Sequence, residues 1–311
     1  MRAVPDERAV FTEPAIDAHA HVWHRTSTPQ PWIDPVSMAA IDRDFSLADL
    51  AEVRAGCGIT GTVLVQSAHS PAETLALCAA VDHESVLGAV GWVDLSADVP
   101  AQLAAIDVHA PSALVGIRHL SHQDPDPEAL LSLTEGITAL GAAGLVVDLV
   151  LRPDQLDQAV TLADRHPQVP FVLDHLGNPP ILDSAALTGW RATITELARR
   201  ENVVAKLSGI TMGAEHTTWT VADLEPVVHT ALATFGPDRL LLGTDWPVVR
   251  LTGGAEPWLA AVAELLAPLA PGERAAILAG TAQHTYNLVR GQHLRCDSNG
   301  RDAVESHRRD G

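Results

Sequence analysis

The chain has 311 residues, 47% of them hydrophobic, and a formal net charge of −19 at pH 7. A surface this acidic repels phosphate backbones and anionic membranes, so we expect neither nucleic acid nor a membrane as a partner. The hydrophobic content is sufficient for a large core, and no apolar run reaches the length of a membrane-spanning helix.

The cysteines and the first residues indicate a compartment. Cys57, Cys78 and Cys296 are widely spaced and outside any CxxC pair, which is typical of reduced thiols and argues against a cysteine zinc site. The first ten residues alternate charged and apolar side chains and lack the apolar stretch of a signal peptide. We therefore expect a cytoplasmic protein, and the sequence leaves open whether it is a monomer or a homo-oligomer.

Short apolar, β-branched runs alternate along the chain with Ala- and Leu-rich stretches of helical period. The runs predict eight strands, at residues 15–23, 61–68, 88–95, 114–120, 144–151, 170–177, 203–209 and 240–247. Helices are predicted between them at 46–55, 72–82, 126–140, 152–165, 184–200 and 222–235, and a last helical block at 256–288.

This alternation predicts an α/β fold, a single-domain (β/α)₈ barrel over residues 14–290. No glycine-rich phosphate loop follows the first strand, which disfavours a doubly wound dinucleotide-binding sheet. We expect residues 1–13 to be a loose lead-in and the polar residues 291–311 to be a disordered tail.

In such barrels the catalytic side chains come from the carboxyl ends of the strands. The first run, IDAHAHVW, carries Asp17, His19 and His21 at alternate positions, which predicts that they share one face. Polar or aromatic residues also end the other runs: Gln66, Trp92, Asp94, Arg118, His119, Asp148, Asp174, His175, Lys206, Ser208, Asp245 and Trp246. Lys206 is the only lysine among the 20 Lys and Arg residues.

Three imidazoles and one carboxylate of this set suit a mononuclear metal site: His19, His21, His175 and Asp245. These donors favour Zn²⁺, with Mn²⁺ as the alternative. A bound metal would lower the pKa of its water towards neutrality, and Asp245 could then accept the water's proton. Arg118 and Lys206 are cations that could orient a carbonyl-bearing or anionic substrate.

Eight motifs occur in order between about residue 16 and residue 288: DAHAHVW, RDF at 43–45, GTVLVQ, GWVDL, GIRH, DHLGNP, KLSG and GTDWPV. Together they resemble the amidohydrolase-related lactonases, the L-fuconolactonase-like branch that includes L-rhamnonolactonase and 2-pyrone-4,6-dicarboxylate lactonase. The resemblance implies a distorted barrel that hydrolyses a lactone ring.

The resemblance also implies roles for residues. It places His19, His21, His175 and Asp245 at the core of the site. Asp245 would be the general base, His175 a second catalytic residue, and Arg118 a catalytic and substrate-binding residue. Further expected substrate contacts are Lys206, Gln66, Trp23 and His119.

The strands predicted at 114–120 and 144–151 depart from the binuclear members of the superfamily. Those members bridge two metals with a lysine carbamate or a glutamate, and they add a histidine on strand five. Here the two strands contain VGIRHL and LVVDLVL, which carry neither. We therefore expect a single divalent ion. Members of this branch differ in whether they need a metal, so a metal-independent reaction stays open.

The leading hypothesis is a hydrolase that opens a small lactone, a sugar-acid lactone or related ring, by water attack on the carbonyl. The alternative is a metal-dependent decarboxylase of an aromatic or unsaturated acid on the same fold, which would release CO₂. A barrel that only binds a ligand is disfavoured, because it has no need of a water-activating carboxylate.

Overall fold

The computed structural model describes residues 10–288, apart from positions 82, 84 and 127. Eight parallel strands are hydrogen-bonded in chain order. They are β1 (Ala15–Ala20), β2 (Ile59–Val65), β3 (Val86–Gly91), β4 (Leu114–His119), β5 (Val146–Leu149), β6 (Phe171–Leu173), β7 (Val203–Leu207) and β8 (Leu240–Leu242). The predicted single-domain (β/α)₈ barrel is confirmed, and every predicted strand is present, each with a shorter carboxyl end than predicted.

The barrel closes between the segments that follow β1 and β8. The backbone N–H of Asp245 donates to the carbonyl of His19 at 2.8 Å, and that of His21 donates to the carbonyl of Trp246 at 2.7 Å. Three of these four residues belong to the predicted site. Closure of the barrel therefore brings the first and last motifs of the sequence together.

Helices follow the strands around the outside of the barrel. They are α1 (Leu47–Cys57), α2 (Pro71–Ala80), α3 (Val99–His109), α4 (Thr134–Ala142), α5 (Leu156–Arg165), α6 (Ser184–Leu197), α7 (Val221–Phe235), α8 (Ala255–Leu266), α9 (Pro271–Ala275) and α10 (Thr281–Thr285). Several begin with a side-chain cap, as at Ser46, whose hydroxyl accepts from Asp49 N while the Asp49 carboxylate accepts from Ser46 N. None of these described helices has both the length and the apolar character needed to span a bilayer.

Two predicted helices differ from the structure. The helix predicted at 126–140 is divided into a short 3₁₀ turn, Ala129–Ser132, and α4. The block predicted at 256–288 is divided into α8, α9, a π-helical turn over Ala276–Gly280, and α10. A proline at the start of α9 explains that division, because proline cannot continue the hydrogen-bond ladder of a preceding helix.

The two chain ends are only partly described. Residues 1–9 of the predicted lead-in and the predicted tail at 291–311 lie outside the described residues. Within the lead-in, Phe11 is buried in the core, and the Glu13 carboxylate accepts from Arg274 Nη2 at 2.7 Å. Residues 10–13 are thus packed against the barrel.

Small apolar side chains from most of the strands fill the interior of the barrel, among them Ile16, Ala18, Val63, Val65, Val90, Val146, Val172 and Leu241. Tyr286, which follows α10, belongs to the same cluster. The polar side chains at the carboxyl ends of the strands therefore lie on a packed apolar base, which holds them in place.

The prediction that Asp17 shares one face with His19 and His21 is wrong. The pairing of β1 with β2 shifts register between Asp17 and Ala20, and Ala18 is part of the interior cluster. Asp17 instead accepts hydrogen bonds from Thr244, at 2.8 Å from its backbone N and 2.5 Å from its hydroxyl. Asp17 therefore ties β1 to the segment after β8.

Candidate active site

Four side chains converge at the carboxyl end of the barrel. The Oδ1 atom of Asp245 lies 3.3 Å from His21 Nε2, 3.7 Å from His19 Nε2 and 4.0 Å from His175 Nε2. All four residues are buried. The structure thus brings together the complete donor set that the sequence predicted, from three separate parts of the barrel.

Two of the four reach the cluster through unusual backbone turns. β6 ends at Leu173 and β8 at Leu242. His175 and Asp245 therefore lie beyond the strands, and strand alternation does not determine the direction of their side chains. Both have positive φ angles, 55° at His175 and 58° at Asp245. A left-handed conformation at a residue other than glycine costs on the order of 1–3 kcal/mol and persists only where the surroundings enforce it.

The absence of a side chain at Gly209 leaves room for the ring of His175. A Cβ atom at this position would lie 2.4 Å from His175 Nδ1 and 2.7 Å from its Cγ, and the φ angle of Gly209 is +61°. A side chain here would therefore collide with the imidazole and also strain the backbone.

We expect Gly209→Ala to displace His175, to lower the metal content of the purified protein, and to lower its melting temperature. The matched control is Gly189→Ala on α6, where a Cβ meets nothing within 4 Å. That variant should be unchanged or more stable, by about 0.5–1 kcal/mol, because alanine favours the helix. Equal effects of the two substitutions on metal content would contradict this role of Gly209.

Hydrogen bonds at the other nitrogen of each ring orient the imidazoles. His21 Nδ1 lies 2.7 Å from the carbonyl of Val65, and a carbonyl only accepts, so Nδ1 is the donor and Nε2 is turned towards Asp245. His175 Nδ1 lies 2.9 Å from the Ser208 hydroxyl. Burial lowers the pKa of His175, and it lowers the pKa of His19 far below the usual range with help from nearby Lys206. Neutral rings are the form that binds a metal.

The donor set fits one small divalent ion. Tetrahedral Zn²⁺ with bonds of about 2.1 Å separates neighbouring ligand atoms by about 3.4 Å. The distances from Asp245 Oδ1 to the three Nε2 atoms, 3.3, 3.7 and 4.0 Å, agree with that spacing. His19, His21 and Asp245 also form a group whose ligand atoms lie within 4.8 Å of one another. Arg118 Nη1 lies 3.2 Å from His19 Nε2, so an ion bound there would replace that contact.

Beneath the histidines lies a buried ionic network around Lys206. Its ammonium is 2.5 Å from Asp148 Oδ2, 3.0 Å from Asp174 Oδ1 and 3.0 Å from His19 Nδ1. Tyr286 donates its hydroxyl to Asp148 at 2.9 Å. Lys206, Asp148 and Asp174 have no exposed side-chain surface. The only lysine of the chain is therefore a structural cation under the site.

The two carboxylates of the network have opposite pKa shifts. Burial raises the pKa of Asp148 to about 6, against the effect of Lys206. Burial also acts to raise the pKa of Asp174, but the adjacent Lys206, His19 and Arg118 hold it well below its usual range. Asp174 is therefore an anion that pairs with Arg118 Nη1 at 3.0 Å and lies 3.3 Å from His19 Nδ1.

We expect Lys206→Met to lower the free energy of unfolding by about 3–5 kcal/mol, because it leaves two carboxylates buried without their shared cation. Arg199→Met is the control: its guanidinium is 70% exposed and pairs with Glu196 on the surface. An exposed pair of this kind contributes at most about 1 kcal/mol. Urea denaturation measures both, and a loss below about 1 kcal/mol in Lys206→Met would contradict the structural role.

A cavity of about 220 Å³ opens above the cluster and is lined in part by His21, His175, Asp245 and Arg118. Arg118 is held from below, since Nη2 donates to the carbonyl of Gln66 and Nη1 pairs with Asp174. A volume this small suits a single small ring rather than a drug-sized or polymeric ligand.

The other predicted substrate contacts lie outside this lining. Lys206 is in the network beneath it, and Gln66 Nε2 donates to the carbonyl of Arg118 at 2.8 Å. Trp23 packs against Phe45 with ring centroids 5.5 Å apart. His119 Nε2 lies 3.1 Å from Asp124 Oδ2. None of these four residues lines the cavity.

Among the lining residues that the sequence reasoning missed are Trp32, His122 and Asn178. Asn178 belongs to the DHLGNP motif, and His122 follows GIRH by three positions, so position within or beside a motif was the available signal. Trp32 lies in the segment between β1 and α1, where no motif marks it. Loop conformation alone brings it to the cavity.

The chain matches a family model described as Amidohydrolase over residues 16–288. It is 36% identical to an L-fucono-1,5-lactonase of Burkholderia ambifaria and 32% identical to one of Burkholderia multivorans. Each match covers 88% of this chain and 96% of the relative.

A crystal structure of an amidohydrolase from Burkholderia multivorans with bound Zn has a TM-score of 0.83 at 30% identity, covering 89% of this chain and 100% of that one. Two decarboxylase structures match at 15% and 14% identity, which shows the shared fold alone.

Proposed function

Because this chain belongs to the amidohydrolase family, we propose that it hydrolyses a small lactone, of the sugar-acid type named for its L-fucono-1,5-lactonase relatives. One observation carries the proposal: Asp245 Oδ1 lies within 4.0 Å of three imidazole nitrogens at the floor of a small cavity. A carboxylate placed there can accept a proton from water beside a bound ring.

In the proposed reaction, water attacks the lactone carbonyl carbon as its proton passes to Asp245. Negative charge develops on the carbonyl oxygen, and Arg118 is the cation of the cavity lining that can stabilise it. The ring C–O bond then breaks, and the proton held by Asp245 passes to the departing ring oxygen. The product is an open-chain hydroxy acid.

His19, His21, His175 and Asp245 would hold one divalent ion, with Zn²⁺ favoured and Mn²⁺ as the alternative. Such an ion supplies Lewis-acid polarisation and a more acidic water. A metal-independent reaction is the competing form of the proposal, with Asp245 and the neutral imidazoles acting on water directly.

The test of the reaction class is a pH-indicator screen of lactones combined with CO₂ detection. A lactonase acidifies the medium without gas release, whereas the decarboxylase alternative releases CO₂ from an aromatic acid. CO₂ release from aromatic acids without turnover of any lactone would overturn the proposal.

For the metal, we expect elemental analysis of the purified protein to find about one divalent ion per chain. The quantity should fall in His21→Ala, because that variant lacks one nitrogen ligand. If the protein contains no divalent metal and keeps its activity in the presence of a chelator, the metal-independent form is correct and the metal site is rejected.

For the general base, we expect Asp245→Asn to lose most of its turnover while it still binds the lactone, because an amide keeps the shape but cannot accept the proton. The control is Asp107→Asn, at an exposed position on α3. Melting temperature, lactone affinity and kcat are measured on the same preparation. An unchanged kcat in well-folded Asp245→Asn would remove Asp245 from the reaction.

We also propose that the enzyme works in the cytoplasm. The support is that Cys57 and Cys78 are buried free thiols, as expected in a reducing compartment.

A further inference from the structure

We propose that His122 binds a ring hydroxyl group of the substrate and thereby makes the site selective for neutral, hydroxylated lactones. This inference rests on the proposed lactone hydrolysis and adds the residue that determines substrate class. His122 lies in the 3₁₀ turn Ser121–Gln123 directly after β4. Its side chain lines the same cavity as Arg118, His175 and Asp245.

The ring of His122 has an unused polar atom. Its Nδ1 is buried and has no hydrogen-bond partner among the described residues. A ligand in the cavity can therefore reach only the other ring nitrogen, Nε2, which also makes no hydrogen bond to the described residues. A hydroxyl group of the substrate would supply the hydrogen bond to Nε2 that the protein does not make.

The backbone holds His122 in a fixed position. Its N–H donates to the carbonyl of Val150 at 3.2 Å, and its own carbonyl accepts from Arg152 Nη1 at 2.8 Å. Both the N–H and the carbonyl of His122 therefore bind the turn to the segment that follows β5. The backbone that carries the ring is therefore pre-organised, which reduces the conformational entropy lost when a ligand binds.

The protonation state of His122 selects its partner. Burial lowers the pKa of His122 to about 4, and the nearby charge of Arg118 acts in the same direction. A neutral imidazole has one N–H donor and one lone-pair acceptor. A hydroxyl group also donates and accepts, and so it can pair with Nε2 in either tautomer, whereas a carboxylate can only accept.

The rest of the lining favours a neutral ligand. Its permanently charged side chains are Arg118 and Asp245, and the proposed reaction uses both at the carbonyl. No second cation of the lining is available for a carboxylate substituent. Asn178 Nδ2 donates to the carbonyl of Leu151 at 2.8 Å, which leaves its side-chain oxygen as an acceptor for a further hydroxyl.

Trp32 lines the cavity as well. Its indole N–H donates to Gln30 Oε1 at 2.7 Å, and its ring meets that of Trp23 edge-on at 5.8 Å. The indole is therefore fixed in orientation. A fixed aromatic face beside hydrogen-bonding groups suits a ring that carries both C–H and O–H groups.

The experiment compares a hydroxylated six-membered sugar-acid 1,5-lactone with δ-valerolactone, which has the same ring without hydroxyls. The readout is the ratio of their kcat/KM values. In His122→Phe we expect this ratio to fall roughly ten- to hundredfold, while turnover of δ-valerolactone is retained. His122→Gln keeps a donor and an acceptor and should recover part of the ratio, and it also serves if the phenylalanine variant does not fold.

His229→Phe is the control, since that histidine is 57% exposed on α7 and away from the cavity lining. Its ratio should equal that of the wild type. If kcat/KM in His122→Phe falls equally for both lactones, or does not fall, the role of His122 is overturned while the proposed lactone hydrolysis stands. If the wild type hydrolyses a carboxylate-bearing lactone faster than the neutral hydroxylated lactone, the proposed selectivity for neutral substrates is overturned. If the wild type hydrolyses no lactone, the proposed function itself is overturned.

Discussion

The pairing of Lys206 with Asp148 and Asp174 is the interaction on which the site depends. A lysine with no exposed surface is stable only if its charge is compensated, and here two carboxylates at 2.5 and 3.0 Å compensate it. The same Asp174 holds Arg118 at the cavity floor and lies beside His19. One buried cation thus positions a cavity residue and a ring of the histidine cluster together. Its partner Asp148 is in turn bound by Tyr286, which connects the network to the packed base of the barrel.

The second constraint is backbone strain at the strand ends. His175 and Asp245 both adopt positive φ angles, and neither conformation is favourable by itself. The ring of His175 packs directly against Gly209, in space that a Cβ atom at position 209 would occupy. Burial and barrel closure enforce these turns, since the hydrogen bond from Asp245 N to the His19 carbonyl is part of that closure. The geometry of the donor set is therefore a property of the folded barrel as a whole.

Charge is organised differently inside and outside the molecule. The chain carries a net charge of −19, whereas the cavity lining combines Arg118 and Asp245 with neutral imidazoles. An acidic exterior repels anionic substrates. A neutral, hydroxylated lactone avoids that repulsion and matches the hydrogen-bonding groups of the lining. The acid released by hydrolysis is an anion, and the acidic surface would favour its departure.

The sequence by itself determined the alternation of eight strands with helices, and it placed the four donor side chains at or just after strand ends, which meet at one face of a barrel. It could not determine the side-chain directions of Asp17 or Asp245, since a register shift and a left-handed turn replace strand alternation there. It also could not separate Lys206, buried beneath the site, from Arg118, which lines the cavity, although both end strands. Trp32 and His122 reach the cavity from loops. Such positions depend on long-range packing, which has no local periodicity in the sequence, and only the tertiary structure decides them.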